Sequence, residues 1–302
     1  MKSYLSLAVK EIRAQKITAI LILIAVLLSS VMTTAIGQSL GILQGMRIEQ
    51  AASLNGDRYV TFHQLSKQQA STLAADPRLR DVGSLINLGG AALGGSGLSM
   101  LLREYSEGAL AAYPSIGKIK EGRLPRTSLE IALPESALRA VASEIHIGDP
   151  LTLDVSVALL RDTGEAYQYT ADFTVCGILE SSYIGYVSGI VDAVVGEGTA
   201  AALLPARYLL YSTSFKTQRT NQFQLIVDDL VRSLRLDRAY IQYNWLLLDA
   251  LGVSYAESGE ADTDTGFSFM VLSCVLVGAL VLAAAGLVGY NVLKIAVAKK
   301  IR

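Results

Sequence analysis

Histidine and cysteine are both scarce in this sequence, with two of each among 302 residues. His63 and His146 lie far apart in the chain, so a zinc site would need unusual ligands. Cys176 lies in the middle of the chain and Cys274 lies within a long apolar run, so we do not expect them to form a disulfide. The sequence therefore predicts neither a metal site nor a disulfide framework.

The zinc-hydrolase and cysteine-nucleophile motifs are also lacking. There is no His-Glu-x-x-His zinc pair and no Cys-His arrangement that would support a nucleophile. Glycine-rich residues 88–98 do not contain the Gly-Lys-Ser/Thr of a phosphate-binding loop, and we predict a flexible loop there. The acidic cluster Glu257, Glu260, Asp262 and Asp264 lacks the spacing of a calcium-binding loop, so a solvated linker is the favoured interpretation. We expect no enzyme activity and no bound cofactor in this chain.

Two long stretches contain no charged residue, residues 17–44 and residues 267–293. The whole chain is 51% hydrophobic with a mean hydropathy of +0.40, which is high for a soluble protein of this length. About 20 apolar helical residues cross the hydrocarbon core of a bilayer, and both stretches are longer than that. We therefore predict two membrane-spanning helices.

Each stretch has an alternative interpretation. The first could be a secretory signal cleaved near Ala35, Ile36 and Gly37, although its apolar core is longer than that of a typical signal. The second could be a buried core helix, but residues 271–288 are apolar or small on every face, which a soluble domain rarely accommodates.

Basic residues flank the two stretches and predict their orientation. They are Lys2, Lys10, Arg13 and Lys16 before the first stretch, and Lys294, Lys299, Lys300 and Arg302 after the second. The segment between the flanks holds the remaining 18 of 26 basic residues but 26 of the 27 acidic ones. The positive-inside rule then places both ends in the cytoplasm and the acidic middle on the outer side of the membrane. Membrane lipids are expected partners, and nucleic acid is not.

These observations divide the chain into five segments. We predict a cytoplasmic amphipathic helix over residues 1–16, a first membrane span with a stalk over 17–44, an extracytoplasmic domain over 45–266, a second span over 267–293 and a basic cytoplasmic segment over 294–302. The first segment could instead extend the first span. The fold class is thus an α+β extracytoplasmic domain inserted between two transmembrane α-helices.

Local patterns within the extracytoplasmic segment mix strands with helices and show no regular repeat. Alternating or apolar patterns predict strands over residues 58–63, 82–88, 167–179 and 222–227. Helices are predicted from a Ser66 cap to the Asp76-Pro77 pair, and over residues 228–236 and 245–251.

The order of these segments, together with several short motifs, resembles the MacB/FtsX-type permease subunits of bacterial ABC transporters. The motifs are Glu121-Gly-Arg-Leu-Pro, Glu130-Ile-Ala-Leu-Pro-Glu-Ser-Ala-Leu, Ile147-Gly-Asp-Pro-Leu-Thr-Leu, Phe173-Thr-Val-Cys-Gly-Ile and the Tyr290-Asn-Val-Leu-Lys segment after the second apolar stretch. The first four are similar to the MacB-like core domain of that family.

The resemblance implies a homodimeric or paired permease that binds a cytoplasmic ABC ATPase. ATP would bind to the partner subunit, and its hydrolysis would move the external domains by mechanotransmission. Lys294, Lys299, Lys300 and Arg302 would then lie at the surface that couples to the ATPase, or would serve only to set the topology. Family members usually continue into two further spans, so we expect either a longer chain or a partner that supplies them.

Different functions fit this resemblance. One is export, or defence against antimicrobial peptides, by an ABC transporter. Another is the division-type role of FtsX, in which the subunit activates an external cell-wall hydrolase and transports nothing. A third alternative is an ATP-independent, membrane-anchored binding or sensor module.

Overall fold

The computed structural model describes residues 16–94, 97–113, 116–141, 145–160, 166–181 and 188–256, together with 272, 275–279, 281–283, 286 and 290. The chain divides into two compact units, Met1–Met46 with Gly266–Arg302, and Arg47–Thr265. Residues 1–15 of the predicted amphipathic helix, the acidic cluster at 257–264 and the basic segment at 294–302 lie outside the described residues.

The first described element is a helix of 40 residues, α1 (Lys16–Asn55). Those of its apolar side chains that the structure describes in the first unit are exposed, and Ile17 is 77% exposed. The segment Val26–Asn55 has a mean hydropathy of 1.6 over its most apolar window, and none of that window is buried. By length and composition this helix could cross a membrane, and a secretory signal near the N-terminus would meet the same criterion.

The second unit mixes strands with short helices, which confirms the α+β prediction. Its described strands are β1 (Val60–Leu65), β2 (Leu79–Leu93), β3 (Leu98–Tyr105), β4 (Ile119–Gly122), β5 (Glu130–Pro134), β6 (Pro150–Val157), β7 (Tyr167–Leu179), β8 (Ile190–Val195), β9 (Tyr211–Thr217) and β10 (Ile241–Tyr243). Its helices are α2 (Lys67–Ala75), α3 (Glu107–Ala112), α4 (Glu135–Ala140), α5 (Thr199–Leu203), α6 (Phe223–Ser233) and α7 (Trp245–Leu251), with single 3-10 turns at Thr220–Gln222 and Arg238–Tyr240.

Six of the strands form a closed ring. The order around it is β2-β3-β8-β5-β7-β6, and β6 returns to β2 through the pair Gly90 and Ser156. Inward-facing side chains alternate along each strand, as the period of two requires. They fill the ring with a core whose largest members are Met100, Leu102, Ile131, Leu133 and Phe173, all of them buried.

Three more strands extend the sheet beyond the ring in the order β2-β9-β1-β10, and we call β9, β1 and β10 the wing. Helices α2, α6 and α7 cover one face of the wing and share a second core with it. The rings of Phe62 on β1 and Phe215 on β9 meet edge to face in this core, with centroids 5.1 Å apart. The end of α1 joins the same core through buried Ala51 and half-buried Ile48.

The strand predicted over residues 222–227 is wrong, because these residues begin helix α6. The buried side chains of this helix follow the helical spacing i, i+3, i+4, i+7 and i+8, and they are Phe223, Ile226, Val227, Leu230 and Val231. A window of six residues is too short to distinguish this period from that of a strand. The helix predicted over 228–236 is the second half of the same element.

The loop predicted over residues 88–98 is also wrong for most of its length. Strand β2 continues to Leu93 and β3 starts at Leu98. Gly89 has a φ of +118°, and a Cβ at this position would lie 2.5 Å from the carbonyl oxygen of Ser156. Glycine is therefore required here by the close approach of β2 and β6 that closes the ring.

Other local predictions are confirmed. Ser66 caps helix α2 and forms a capping box with Gln69, and the helix ends before Asp76. The strand predicted over residues 167–179 matches β7, and the helix predicted over 245–251 matches α7.

The first motif of the family resemblance, Glu121-Gly-Arg-Leu-Pro, leads into a tight turn that the carboxylate of Glu130 stabilises. Glu130 accepts two hydrogen bonds from the Arg123 guanidinium and one each from the backbone N–H groups of Arg126 and Thr127. Gly122 has a φ of +76°, and a Cβ there would lie 2.5 Å from the carbonyl oxygen of Cys176. In the Glu121-Gly-Arg-Leu-Pro motif, the glycine is therefore required by its backbone conformation and close packing, and the arginine stabilises the turn.

Candidate functional site

Two cavities lie next to each other, and the larger one lies on the face of the wing that helices α2, α6 and α7 leave uncovered. Successive residues of β1 point to opposite faces, so that Phe62 enters the core while Thr61 and His63 line the larger cavity. The larger cavity has a volume of about 720 Å³ and the smaller one about 430 Å³. Four residues line both cavities and form their shared wall, and they are Arg58, Arg103, Tyr113 and Gln242.

Arg58 is held in this wall by its backbone rather than by an ion pair. The side-chain Nδ2 of Asn244 donates hydrogen bonds of 2.9 Å to the carbonyl oxygens of Gly56 and Arg58. These bonds fix the chain as it enters β1. The Arg58 guanidinium stacks over the Tyr113 ring at 4.8 Å from its centroid. Among the described residues it has no carboxylate partner and no hydrogen bond. Burial lowers the pKa of Arg58 from its usual value.

Arg103 differs from Arg58 because its charge is compensated. Its guanidinium lies 2.8 Å from the carboxylate of Asp192 on the adjacent strand β8, and both side chains are 27% exposed. Burial raises the pKa of Asp192, and the nearby Arg103 charge acts in the opposite direction. The pair therefore adds little net charge to the wall, and Arg58 supplies the uncompensated positive charge.

His63 is fixed between two neighbouring strands. Its Nε2 lies 3.1 Å from Oε1 of Gln242 on β10, and its Nδ1 lies 2.9 Å from Oγ of Ser212 on β9. Since Oε1 can only accept, Nε2 carries the proton and Nδ1 accepts from the serine hydroxyl. Burial lowers the pKa of His63, so the ring is neutral at neutral pH.

This histidine and serine do not form a catalytic pair of the hydrolase type. The partner of His63 on its other nitrogen is the neutral amide of Gln242, which does not stabilise an imidazolium as a carboxylate does. The spacing of Gly37, Ser39 and Gly41 matches a nucleophile elbow, but these residues lie within helix α1, whereas an elbow requires a sharp strand-to-helix turn.

The residues predicted to couple to an ATPase, Lys294, Lys299, Lys300 and Arg302, all lie outside the described residues. His146 is exposed at the turn before β6, far in sequence from His63. Among the described residues, no group of three or more histidine, cysteine or acidic side chains is placed to hold a metal ion.

Sequence reasoning missed the residues of the shared wall. The sequence pattern at Arg58 predicts only the start of a strand. Arg103 and Asp192 lie 89 positions apart in the chain, so no local pattern indicates that they form a pair. A usable signal was present at Arg103, because Arg103 and Glu104 directly follow the apolar residues Met100, Leu101 and Leu102 within β3. Charged residues inside a strand of a buried sheet indicate a partner or a cavity on the face to which they point.

No family model and no curated protein sequence matches this chain. Solved structures are similar to it, including the following two. The extracellular domain of the ABC-type transporter YknZ from Gram-positive bacteria matches 61% of this chain and 98% of its own, at 10% identity and a TM-score of 0.41. The periplasmic region of MacB from Actinobacillus actinomycetemcomitans matches 65% of this chain and 92% of its own, at 15% identity and a TM-score of 0.41.

The predicted resemblance is matched by solved domains of the same kind. Both are extracytoplasmic regions, and one of them is the MacB domain that the sequence motifs resemble. Similarity at this identity and TM-score identifies neither a ligand nor the role of any residue in this chain.

Proposed function

We propose that the chain is a MacB/FtsX-like permease subunit of an ABC-type transporter, which relays ATP-driven movement to its extracytoplasmic domain for export or for defence against antimicrobial peptides. ATP hydrolysis takes place in a separate cytoplasmic subunit, so the chain itself is not an enzyme and binds no cofactor. The working assembly contains a pair of permease subunits, either identical or related.

The observation that best supports this proposal is the course of helix α1. The helix begins in a charge-free segment with exposed apolar side chains and ends in the core of the wing, where Ala51 is buried and Ile48 packs beside it. A displacement of the helix end would therefore disturb the packing of Phe223 and Tyr59 in the same core. The MacB-like motifs of the sequence point to the same family.

Co-purification tests the proposal. The full chain, including any residues that follow Arg302 in its gene, is co-expressed with the products of neighbouring genes and purified in mild detergent. The proposal predicts that a P-loop ATPase co-elutes in stoichiometric amount. A cell-wall hydrolase bound to the extracytoplasmic side would instead indicate the division-type role.

A pair of matched variants then tests the basic segment. Replacing Lys299, Lys300 and Arg302 with glutamine should reduce ATPase binding, whereas the same replacement of Lys2, Lys10 and Arg13 removes equal charge from the same predicted side and should not. If both triple variants bind the ATPase equally well, the basic segment acts only in topology.

A second candidate function is the ATP-independent binding or sensor module, and the two cavities favour it. A domain that binds a ligand needs no ATPase, so this candidate predicts normal ligand binding and no co-eluting partner. Absence of any ATPase from the co-purification would remove the transporter proposal and leave this one.

A further inference from the structure

We propose that the larger cavity binds an amphipathic oxyanion, a carboxylate or a phosphate joined to an apolar group, with Arg58 as the ligand of the oxyanion. The inference goes beyond the transport role and does not depend on it. It rests on the positive charge, the polar groups and the apolar side chains that line the cavity.

The charged side chains that line the larger cavity are positive. Arg58 and Arg103 line it, and its described lining contains no aspartate or glutamate. The smaller cavity, by contrast, is lined by Asp192 and Glu180. The same two arginines line the smaller cavity, where these two acids balance their charge, so an anion is favoured in the larger cavity and not in the smaller one.

Arg58 lacks the partner that a half-buried arginine normally has. A guanidinium carries five N–H donors in a planar fork, and a carboxylate or phosphate satisfies two of them at once. Arg58 has only the Tyr113 ring beside it among the described residues. Withdrawing a charge from water without a counter-ion is unfavourable, and an oxyanion entering the cavity would remove that cost.

A second polar group in the cavity also lacks a partner. Thr61 lines the larger cavity and is 1% exposed, and its Oγ1 forms no hydrogen bond. Buried hydroxyl groups in native proteins are nearly always hydrogen-bonded, so this one marks a place where a polar ligand atom or its bound water belongs. Asn87 and His63 supply further polar groups to the lining of the same cavity.

Part of the lining is apolar. It is formed by Leu85 on β2, by Leu210 just before β9, by Ile241 on β10, and by the segment after β6, where Leu159 and Leu160 line the cavity. Leu160 is 49% exposed and available to a ligand at the rim. The volume of about 720 Å³ lies within the range of small-molecule sites. An anion that also carries an apolar group contacts both the polar and the apolar parts of this lining, whereas a bare anion contacts only the polar part.

Calorimetric titration of the full chain in nanodiscs of neutral lipid tests the proposal. The probes are hexyl phosphate, hexanoate, inorganic phosphate and hexanol. We expect both amphipathic anions to bind, inorganic phosphate to bind more weakly and hexanol to give no saturable signal. Tighter binding of hexyl phosphate would point to a phosphate ester as the natural ligand, and tighter binding of hexanoate to a carboxylate.

Variants assign the binding to this cavity. Arg58→Gln should weaken binding of both amphipathic anions by about tenfold or more, because a charge-assisted hydrogen bond is lost. Arg139→Gln is the matched control, since it removes the same charge from an exposed site on α4 outside both cavities. Thermal melting checks that each variant is folded.

A second cavity variant does not depend on how the protein tolerates loss of Arg58. Asn87→Asp keeps the side-chain oxygen that accepts from the Gly89 N–H, and it places a negative charge in the cavity. It should weaken anion binding without changing the melting temperature. Equal affinity of the wild type, Arg58→Gln and Asn87→Asp for hexyl phosphate would overturn the proposal, as would saturable binding of hexanol with the same affinity as the anions.

Discussion

The guanidinium carbon of Arg58 lies 4.8 Å from the centre of the Tyr113 ring, which is within the range of a cation–π interaction. The ring orients the cation in the shared wall of the two cavities but does not neutralise it. Arg103, whose charge Asp192 offsets, forms the adjacent part of the wall. These two arginines should therefore contribute differently to stability.

Replacing each arginine with glutamine tests this difference. For Arg58→Gln we expect the free energy of unfolding to change by less than about 1 kcal/mol, because the lost cation–π contact and the relieved desolvation oppose each other. For Arg103→Gln we expect a loss of about 1 to 3 kcal/mol, because Asp192 is left in the wall without its partner.

Trp245 is the only tryptophan in the chain and lies on α7, which covers one face of the wing, so its fluorescence during urea unfolding reports on this domain. If both variants lost stability equally, Arg58 would be a structural residue and not a residue left available to bind an oxyanion.

The Glu130 carboxylate predicts a specific sensitivity to acid. Its hydrogen bonds with Arg123, and then those with the N–H groups of Arg126 and Thr127, lower its pKa to about 2 from a usual 4.5. The stabilisation is therefore complete above the unfolded-state pKa and is lost as the pH falls from about 4.5 towards about 2. Glu130→Gln should lower the free energy of unfolding at neutral pH by about 1 to 2 kcal/mol, allowing for solvent screening of a surface pair.

Glu135→Gln is the control for this prediction. Glu135 pairs with Lys120 and Arg139 at the surface and holds no backbone turn, so its removal should have the smaller effect of an exposed ion pair. Urea unfolding at several pH values compares the two variants. An equal effect of both would show that the turn does not depend on Glu130.

His63 predicts a second, separate dependence on pH. Burial lowers its pKa below the 6.5 of an unfolded chain, and the Arg58 and Arg103 charges act in the same direction. The unfolded chain therefore takes up a proton first as the pH falls, so stability is full above about pH 6.5 and declines below it. Between about pH 7 and pH 5, His63→Gln should lose less stability than the wild type does. A parallel decline in both proteins would mean that His63 is not responsible.

Labelling of single cysteines tests the predicted topology. Ser71 is exposed on α2 of the second unit, and Cys176 is buried and serves as the unreactive background. In intact cells that also carry Cys274→Ala, a membrane-impermeant maleimide should label Ser71→Cys and should not label Lys2→Cys until the cells are lysed. Labelling of both sites in intact cells would contradict cytoplasmic ends, and absence of the N-terminal site from the mature protein would indicate signal cleavage.

Features decided by neighbouring residues could be predicted from the sequence, and features decided by distant contacts could not. The Ser66 capping box with Gln69 involves one turn of chain, and its prediction is confirmed. Whether Gly89 lies in a loop or in a strand depends on its contact with Ser156, which is 67 positions away. No local pattern carries that information.

The candidate site was beyond reach for the same reason. Its shared wall joins Arg58, Arg103, Tyr113 and Gln242, which come from four separate parts of the chain. Tyr113 follows a short helix, and Gln242 lies on a strand of three residues, too short for an alternating pattern to be recognised. The sequence could predict that a charged residue in β3 needs a partner, but not that Arg58 would lie beside it.

The central claim, that ATP turnover moves the extracytoplasmic domain through α1, is tested most directly by hydrogen–deuterium exchange. The chain and its co-purified ATPase are placed in nanodiscs and compared with ADP and with ATP plus vanadate. The account predicts that backbone protection changes in residues 47–55 and in the wing core around Phe223 and Tyr59, far from the nucleotide. Unchanged protection throughout residues 47–256, in a complex that hydrolyses ATP, would contradict it.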